Sequence, residues 1–259
     1  MSAAWRGFQS ILCPVDFSDH SRLALRYAAA LAARNRAALI VLHVDDPLLV
    51  SAAAVMLNDR VLVARSLKGL REFVRSTTIA AGAVTRVRVG RAASEILKAS
   101  RRADVIVMGT HGLTGVGRLL IGSTTVSVLR GTGVPVLAVP AARARHRVPA
   151  WPDGPIVAAC DLGVRGRGDV ERAALLAEWF DSPLVPVHAA HGRSGSAVAH
   201  DLAAIAKARR AGLIITTLRD RIGWFGTRRG SISYHVLTHA IVPVLACPVS
   251  WRPRVDGRR

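Results

Sequence analysis

The sequence predicts an α/β protein of two tandem open parallel-sheet domains with a Rossmann-like layout, the second shortened by a helix and its third strand. Three observations predict it. Short apolar runs alternate with longer amphipathic stretches, as parallel strands covered by helices on both faces require. Ile11-Leu-Cys-Pro-Val-Asp16 returns as Ile156-Val-Ala-Ala-Cys-Asp161, 145 positions later. The block Val105–Pro140 returns without a gap as Leu213–Pro248, 108 positions later. The two offsets differ by 37, so the second copy has lost that many residues between His188 and about Ser196.

Each element has its own signal. In the first copy, strands are expected at 10–16, 38–44, 85–89, 104–109 and 135–139. Ser18 and Asp19 mark a helix start behind the first strand, and Arg22–Arg34 continues it. An amphipathic helix over roughly Asp59–Ala80 precedes the third strand, and Arg91–Lys98 opens another helix, capped by Ser94 or the loop before it. In the second copy, Val170–Phe180 is the helix between Ile156–Asp161 and Leu184–His188. Leu213–Thr216 and Val242–Ala246 are its last two strands. The chain therefore divides into a complete domain at 1–140, an Arg- and Pro-rich linker at 141–155, a shortened domain at 156–249 and a basic tail at 250–259.

Composition narrows the classes. With 51% hydrophobic and 20% charged residues, the chain is globular rather than disordered. No apolar run reaches the roughly 18 residues of a membrane span, and the start lacks the apolar core of a signal peptide. Cys13, Cys160 and Cys247 share no metal-ligand spacing and read as small buried hydrophobes of a reduced, cytoplasmic protein. The net charge of +19 would suit a nucleic-acid binder, yet the arginines are dispersed and aromatics are only 5%, too few for stacking platforms. A solvated arginine surface is the favoured reading. His43 and His188 close apolar strands and read as satisfied strand-end histidines. His188, His191 and His200 read as loop and strand-end residues rather than a metal site. The five tryptophans show no repeat spacing and are expected to cap cores or the domain interface.

The most informative stretch is Met108-Gly-Thr-His-Gly-Leu-Thr-Gly-Val-Gly-Arg-Leu-Leu-Ile-Gly-Ser-Thr-Thr125. It joins a buried strand to a helix. Its glycines allow positive φ and close approach of a ligand to the backbone. Gly122, Ser123 and Thr124 stand where the helix begins, and the N–H groups and dipole there suit an anion such as phosphate. No lysine follows in the Walker A manner, which excludes a P-loop NTPase. The second polar element is Pro14-Val15-Asp16, at the end of the first strand. Open α/β sheets bind ligands beyond strand C-termini where the strand order reverses. If the first and fourth strands flank that point, Asp16 and Gly109 face one crevice. A carboxylate there can accept from a ribose hydroxyl or an adenine amino group.

Gly109-x2-Gly112-x9-Gly122-Ser123 resembles the nucleotide-binding signature of universal stress proteins, and the strands Ile11–Asp16, Ala103–Gly109 and Val134–Pro140 extend the likeness. The chain looks like a tandem, UspA-like member of that family. The resemblance implies an adenine nucleotide alpha hydrolase-like sheet of strand order 3-2-1-4-5 and ATP as ligand, with Mg²⁺. Asp16 would hold the adenosine end, with Pro14 and Val15 shaping the turn. Val44 would meet adenine through its backbone, and Met108 would lie under the nucleoside. Gly109, His111 and Gly112 would line the triphosphate path, and Gly122, Ser123 and Thr124 would bind phosphate. Family dimers pair through the last strand, so Pro135–Val139 and Pro243–Cys247 are expected to pair within the chain as a pseudo-dimer, with homo-oligomers a further possibility.

The second copy departs where binding would need it most. Thr217 stands at the Gly109 position and Asp220, a carboxylate that repels phosphate, at the Gly112 position. It is read as a structural partner. The functional expectation is an ATP-binding, stress-response regulatory or sensor protein with one nucleotide in the first domain and at most slow hydrolysis, since no base or arginine finger is identifiable. The alternative is a non-catalytic interaction or scaffold protein that recruits an acidic partner through its basic surface.

Overall fold

The computed structural model describes residues 5–48, 59–77, 82–110, 121–140, 151–160, 167–188, 194–218 and 232–253. The first unit runs β1 (Ser10–Val15), α1 (Asp19–Asn35), β2 (Ala38–Asp45), α2 (Asp59–Arg75), β3 (Val84–Val89), α3 (Ala92–Ser100), β4 (Val105–Gly109), α4 (Ser123–Gly131) and β5 (Val136–Val139). The second runs β6 (Ile156–Cys160), α5 (Arg167–Phe180), β7 (Leu184–His188), α6 (Gly195–Ala208), β8 (Leu213–Leu218), α7 (Ile232–His239) and β9 (Val244–Pro248). The strand order β3-β2-β1-β4-β5-β9-β8-β6-β7 joins both units in one nine-stranded sheet. The first unit has the expected 3-2-1-4-5 order. Among the described residues, the second keeps four strands, and α6 stands where the first unit has α2, β3 and α3.

Successive side chains of the central strands β1, β4, β5, β6, β8 and β9 go to opposite faces, and both faces are buried. Ile11, Cys13 and Val15 enter one core with Leu23, Leu70 and Phe73, while Leu12 enters the other with Ile106 and Val128. This is why the strands read as unbroken apolar runs. Both cores continue across the seam into the second unit, through Ile156 and Leu245 on one face and Val157 and Val244 on the other. α1 starts where Ser18 accepts from the Ser21 N–H at 3.1 Å and stops at Arg36 in the left-handed conformation, φ 51°.

The units meet through the antiparallel pair β5–β9, with Val136 opposite Ala246, Leu137 opposite Leu245 and Ala138 opposite Val244. Leu137 and Leu245 are equivalent positions of the repeat, so a local two-fold axis passes between them. An aromatic cluster reinforces the seam. Trp5 packs on Trp179 and Trp251 with ring centroids at 5.2 and 6.0 Å, and Phe8 lies 5.3 Å from Trp179. Trp251, inside the stretch expected to be a tail, is thus buried. The Arg34 guanidinium donates to the Phe180 carbonyl at 2.6 Å, tying α1 to α5. Trp151 is buried as well, and its indole N–H donates to the Gly212 carbonyl at 2.9 Å. Residues 141–150 of the expected linker lie outside the described residues.

Loss of a third strand leaves β7 at the sheet edge, and Pro186 guards it. The Ile156 N–H donates to the Pro183 carbonyl at 2.8 Å. By alternation Val185 and Val187 direct their backbone groups to β6, while Leu184, Pro186 and His188 direct theirs outward. Pro186 therefore removes the central donor of the free edge. Its equivalent in the first copy is Val41, which pairs with Thr85 of β3. Edge prolines oppose strand addition. Pro186→Val is expected to create concentration-dependent self-association, read by sedimentation velocity. Sedimentation identical to the parent chain at every concentration would refute the guarding role.

Candidate functional site

The site lies at the C-terminal ends of β1, β2 and β4. β1 pairs with β2 on one side and β4 on the other, so the chain's path reverses between β1 and β4. Pro14 and Val15 are buried at the end of β1, and Asp16 follows half-buried. Its Oδ1 accepts from the Ser18 N–H at 3.1 Å and from the Ser18 hydroxyl. Ser18 is the N-cap of α1, so one short turn fixes both the helix start and this carboxylate.

Opposite stands the end of β4, with Met108 buried and Gly109 half-buried. The Gly109 carbonyl accepts from the Thr125 hydroxyl at 3.1 Å, and the Gly122 N–H donates to the Thr110 carbonyl at 2.9 Å. The loop is therefore pinned where it leaves β4 and where it enters α4. Gly122 is the N-cap of α4 and supplies no side-chain cap; Ser123 is exposed and Thr124 half-buried in the first turn. The result, among the described residues, is a helix N-terminus whose donors are not covered by a capping side chain, flanked by hydroxyls, and suited to phosphate oxygens.

One expectation needs correcting. Gly109 is the extended last residue of β4 and Gly122 has φ −58°, so neither uses left-handed freedom. What they contribute is the missing Cβ. His111 and Gly112 lie outside the described residues. Val44 is half-buried near the end of β2 and lines a cavity of about 330 Å³ with Asp46, Gly90, Arg91 and Ala92. Sequence reading misses these neighbours; the available signal is Gly90, which closes β3 at φ +155°. A larger cavity, about 400 Å³, sits at the other end of the first unit's strands between Trp5, Asp104 and Trp251, remote from this site.

The second unit keeps the frame and fills it differently. Ser233 donates to the Thr217 carbonyl at 3.1 Å, repeating the Thr125–Gly109 bond. Thr217, at the Gly109 position, donates its hydroxyl to Asp169 Oδ1 at 3.0 Å. Asp169 forms a buried ion pair with Arg172, also of α5, each side chain 7% exposed. Burial pushes the nearby Cys160 thiol up to about 11 and the Cys247 thiol to about 12, so neither is a thiolate at neutral pH. Asp161, Asp220, Gly230 and Ser231 lie outside the described residues.

Helices α6 and α7 bring three histidines together. The His200 and His239 rings are 4.5 Å apart, and His235 lies 6.2 Å from His239. Burial, then the neighbouring His239 and His200, lower the His235 pKa. The unfolded chain thus takes a proton that the folded one resists, and stability falls as pH drops below about 6.5, the ordinary histidine value. The urea midpoint is expected to decline between pH 7.5 and 5.5, and less so in His235→Gln. Equal declines would remove His235 as the cause.

Fold and site define a class: an open α/β sheet, repeated in tandem, with a glycine-capped helix start at the switch point of its first unit. Residues 7–140 match the model of the universal stress protein family, and the chain belongs to that family. A universal stress protein of Thermus aquaticus is 36% identical over 138 residues, 51% of this chain and 98% of its own length. One from Mycolicibacterium smegmatis is 25% identical across 94% of this chain and 97% of its own length. The crystal structure of a universal stress protein from Archaeoglobus fulgidus superposes with a TM-score of 0.68 over 92% of this chain and 96% of the other, at 19% identity, and so shares the fold. Among the described residues, no helix is long and apolar enough to cross a membrane.

Proposed function

We propose that the first unit binds one ATP with Mg²⁺ and that the chain acts as a stress-response regulatory or sensor protein in the cytoplasm, the second unit completing an intramolecular pseudo-dimer. The observation that carries this reading is the meeting of the Asp16 turn with the α4 N-terminus across the β1–β4 switch point. Asp16 would accept from the ribose, and Val44 would meet the base. Gly109, His111 and Gly112 would let the triphosphate pass close to the backbone, and Gly122, Ser123 and Thr124 would hold it. The magnesium ion would offset phosphate charge. In the second unit Thr217, bonded to the Asp169 carboxylate, puts a side chain where the first unit offers glycine, which supports one nucleotide per chain. Asp16, Ser123 and Thr124 bind and orient, so hydrolysis would be slow at most.

Calorimetric titration of Mg-ATP into nucleotide-stripped protein tests this. One site per chain is expected, weakened at least tenfold by Asp16→Ala or Gly109→Val. Two sites would refute the assignment to the first unit alone. No heat, and no competition by ADP, AMP or a cyclic nucleotide, would overturn the reading in favour of an interaction protein with an acidic partner.

A further inference from the structure

We propose that His43 is a positioning residue for the site, a single imidazole that holds both chain neighbours of Asp16. The inference rests on the nucleotide-binding reading above. His43 is opposite Val15 in the β1–β2 register. Its Nδ1 lies 2.9 Å from the Val15 carbonyl oxygen, which can only accept, so Nδ1 carries the proton and donates. On the other side of Asp16, the Phe17 ring packs on the same imidazole, with centroids 4.3 Å apart.

Phe17 needs such a hold. It has φ +65°, a conformation costly for a bulky side chain, and it remains 38% exposed. Its second contact is the Phe73 ring of α2 at 5.5 Å, and Phe73 carries the Arg22 guanidinium 4.2 Å from its centroid. The strained residue directly follows the carboxylate expected to touch ligand. Ser18 ties that carboxylate from the helix side, and His43 holds the Val15 carbonyl before it and the Phe17 ring after it.

The imidazole is itself anchored. When the ring carries a proton on both nitrogens, Nε2, 3.1 Å from Asp45 Oδ1, donates to that carboxylate oxygen, which also accepts from the Ser66 hydroxyl of α2 at 3.0 Å. Among the described residues, the buried Asp45 Oδ2 has no hydrogen-bond partner, and the carboxylate's contacts are those of Oδ1 with His43 and Ser66. The path Ser66–Asp45–His43 thus runs from α2 to the β1–α1 turn. Rigid supporting contacts of this kind keep a binding group within the narrow geometry its ligand demands.

The test is Mg-ATP calorimetry on the full chain and on Asp16→Ala, His43→Ala, His43→Asn and Ser66→Ala, each checked for folding by its thermal transition. His43→Ala is expected to weaken binding about tenfold, a factor typical of one lost orienting contact. His43→Asn puts an amide N–H near the Nδ1 position and is expected to recover part of that loss. Ser66→Ala loosens the anchor without touching either neighbour of Asp16 and is expected to weaken binding about two- to threefold, well short of the His43→Ala loss. Parent binding that is lost in Asp16→Ala yet kept in His43→Ala would overturn the proposal and leave the nucleotide reading standing. So would equal weakening by His43→Ala, His43→Asn and Ser66→Ala, the mark of general loosening. Absence of binding by the parent chain would overturn both.

Discussion

Arg172→Met is expected to destabilise the chain by about 3–5 kcal/mol, read as a fall in the urea midpoint. Arg172 and Asp169 are buried alike, and the pair lies beneath the strand ends of the second unit, near Cys160 and Cys247. Removing the guanidinium leaves a carboxylate among apolar neighbours, facing the Thr217 hydroxyl at 3.0 Å. The expected loss is that of breaking a buried pair from one side rather than the net worth of the pair. That worth is small on this structure: among the described residues Arg172 Nε has no hydrogen-bond partner, and Nη1 reaches the Val249 carbonyl only at 3.4 Å. The double variant Asp169→Leu, Arg172→Met should therefore return to within about 1–2 kcal/mol of the parent. A mild single variant, or a double variant as damaged as the single, would refute this account.

The same pair marks where sequence reading stops. The repeat offsets are visible because strand-end residues must recur at fixed positions, and they place every strand of both units. Asp169 and Arg172 stand three apart on a helix and carry no local signal of burial; the tertiary position of α5 buries them. The Thr217 substitution is legible, but its consequence is not, since the partner Asp169 lies 48 positions away. In the first unit, Asp16, Gly122 and Ser123 are legible from local turn and helix-start chemistry. His43 reads as a satisfied strand-end histidine; its contacts with Val15 and Phe17 depend on the β1–β2 register, which a single sequence leaves unstated. The seam splits in the same way. Identical Val-Pro-Val-Leu-Ala segments point to the β5–β9 pairing, while the aromatic cluster draws on residues 5, 8, 179 and 251, which no local pattern connects.

Gly7→Ala is expected to lower stability by about 2–4 kcal/mol, combining left-handed strain with overpacking. Gly7 has φ +79°, and a Cβ there would lie 2.1 Å from Trp179 Nε1 and 2.3 Å from Cε2. The indole has little room to retreat. Trp5 stands 5.2 Å away, Phe8 5.3 Å and Phe180 4.6 Å, and the Arg34 guanidinium lies 5.9 Å from the ring. Moving Trp179 therefore moves the contact between the N-terminal segment, α5 and Trp251 beyond β9, which staples the first unit to the second. A melting temperature lower by about 5–15 °C follows for a chain of this size. The transition should stay single, because both cores continue through the seam. Gly69→Ala is the matched control. Gly69 lies inside α2, and a Cβ there would meet nothing within 4 Å, so alanine should stabilise by about 0.5–1 kcal/mol through helix propensity. The same chemical change then has opposite signs at two glycines. Equal small effects at both would mean that Trp179 yields freely and that the seam is held by the β5–β9 pair alone.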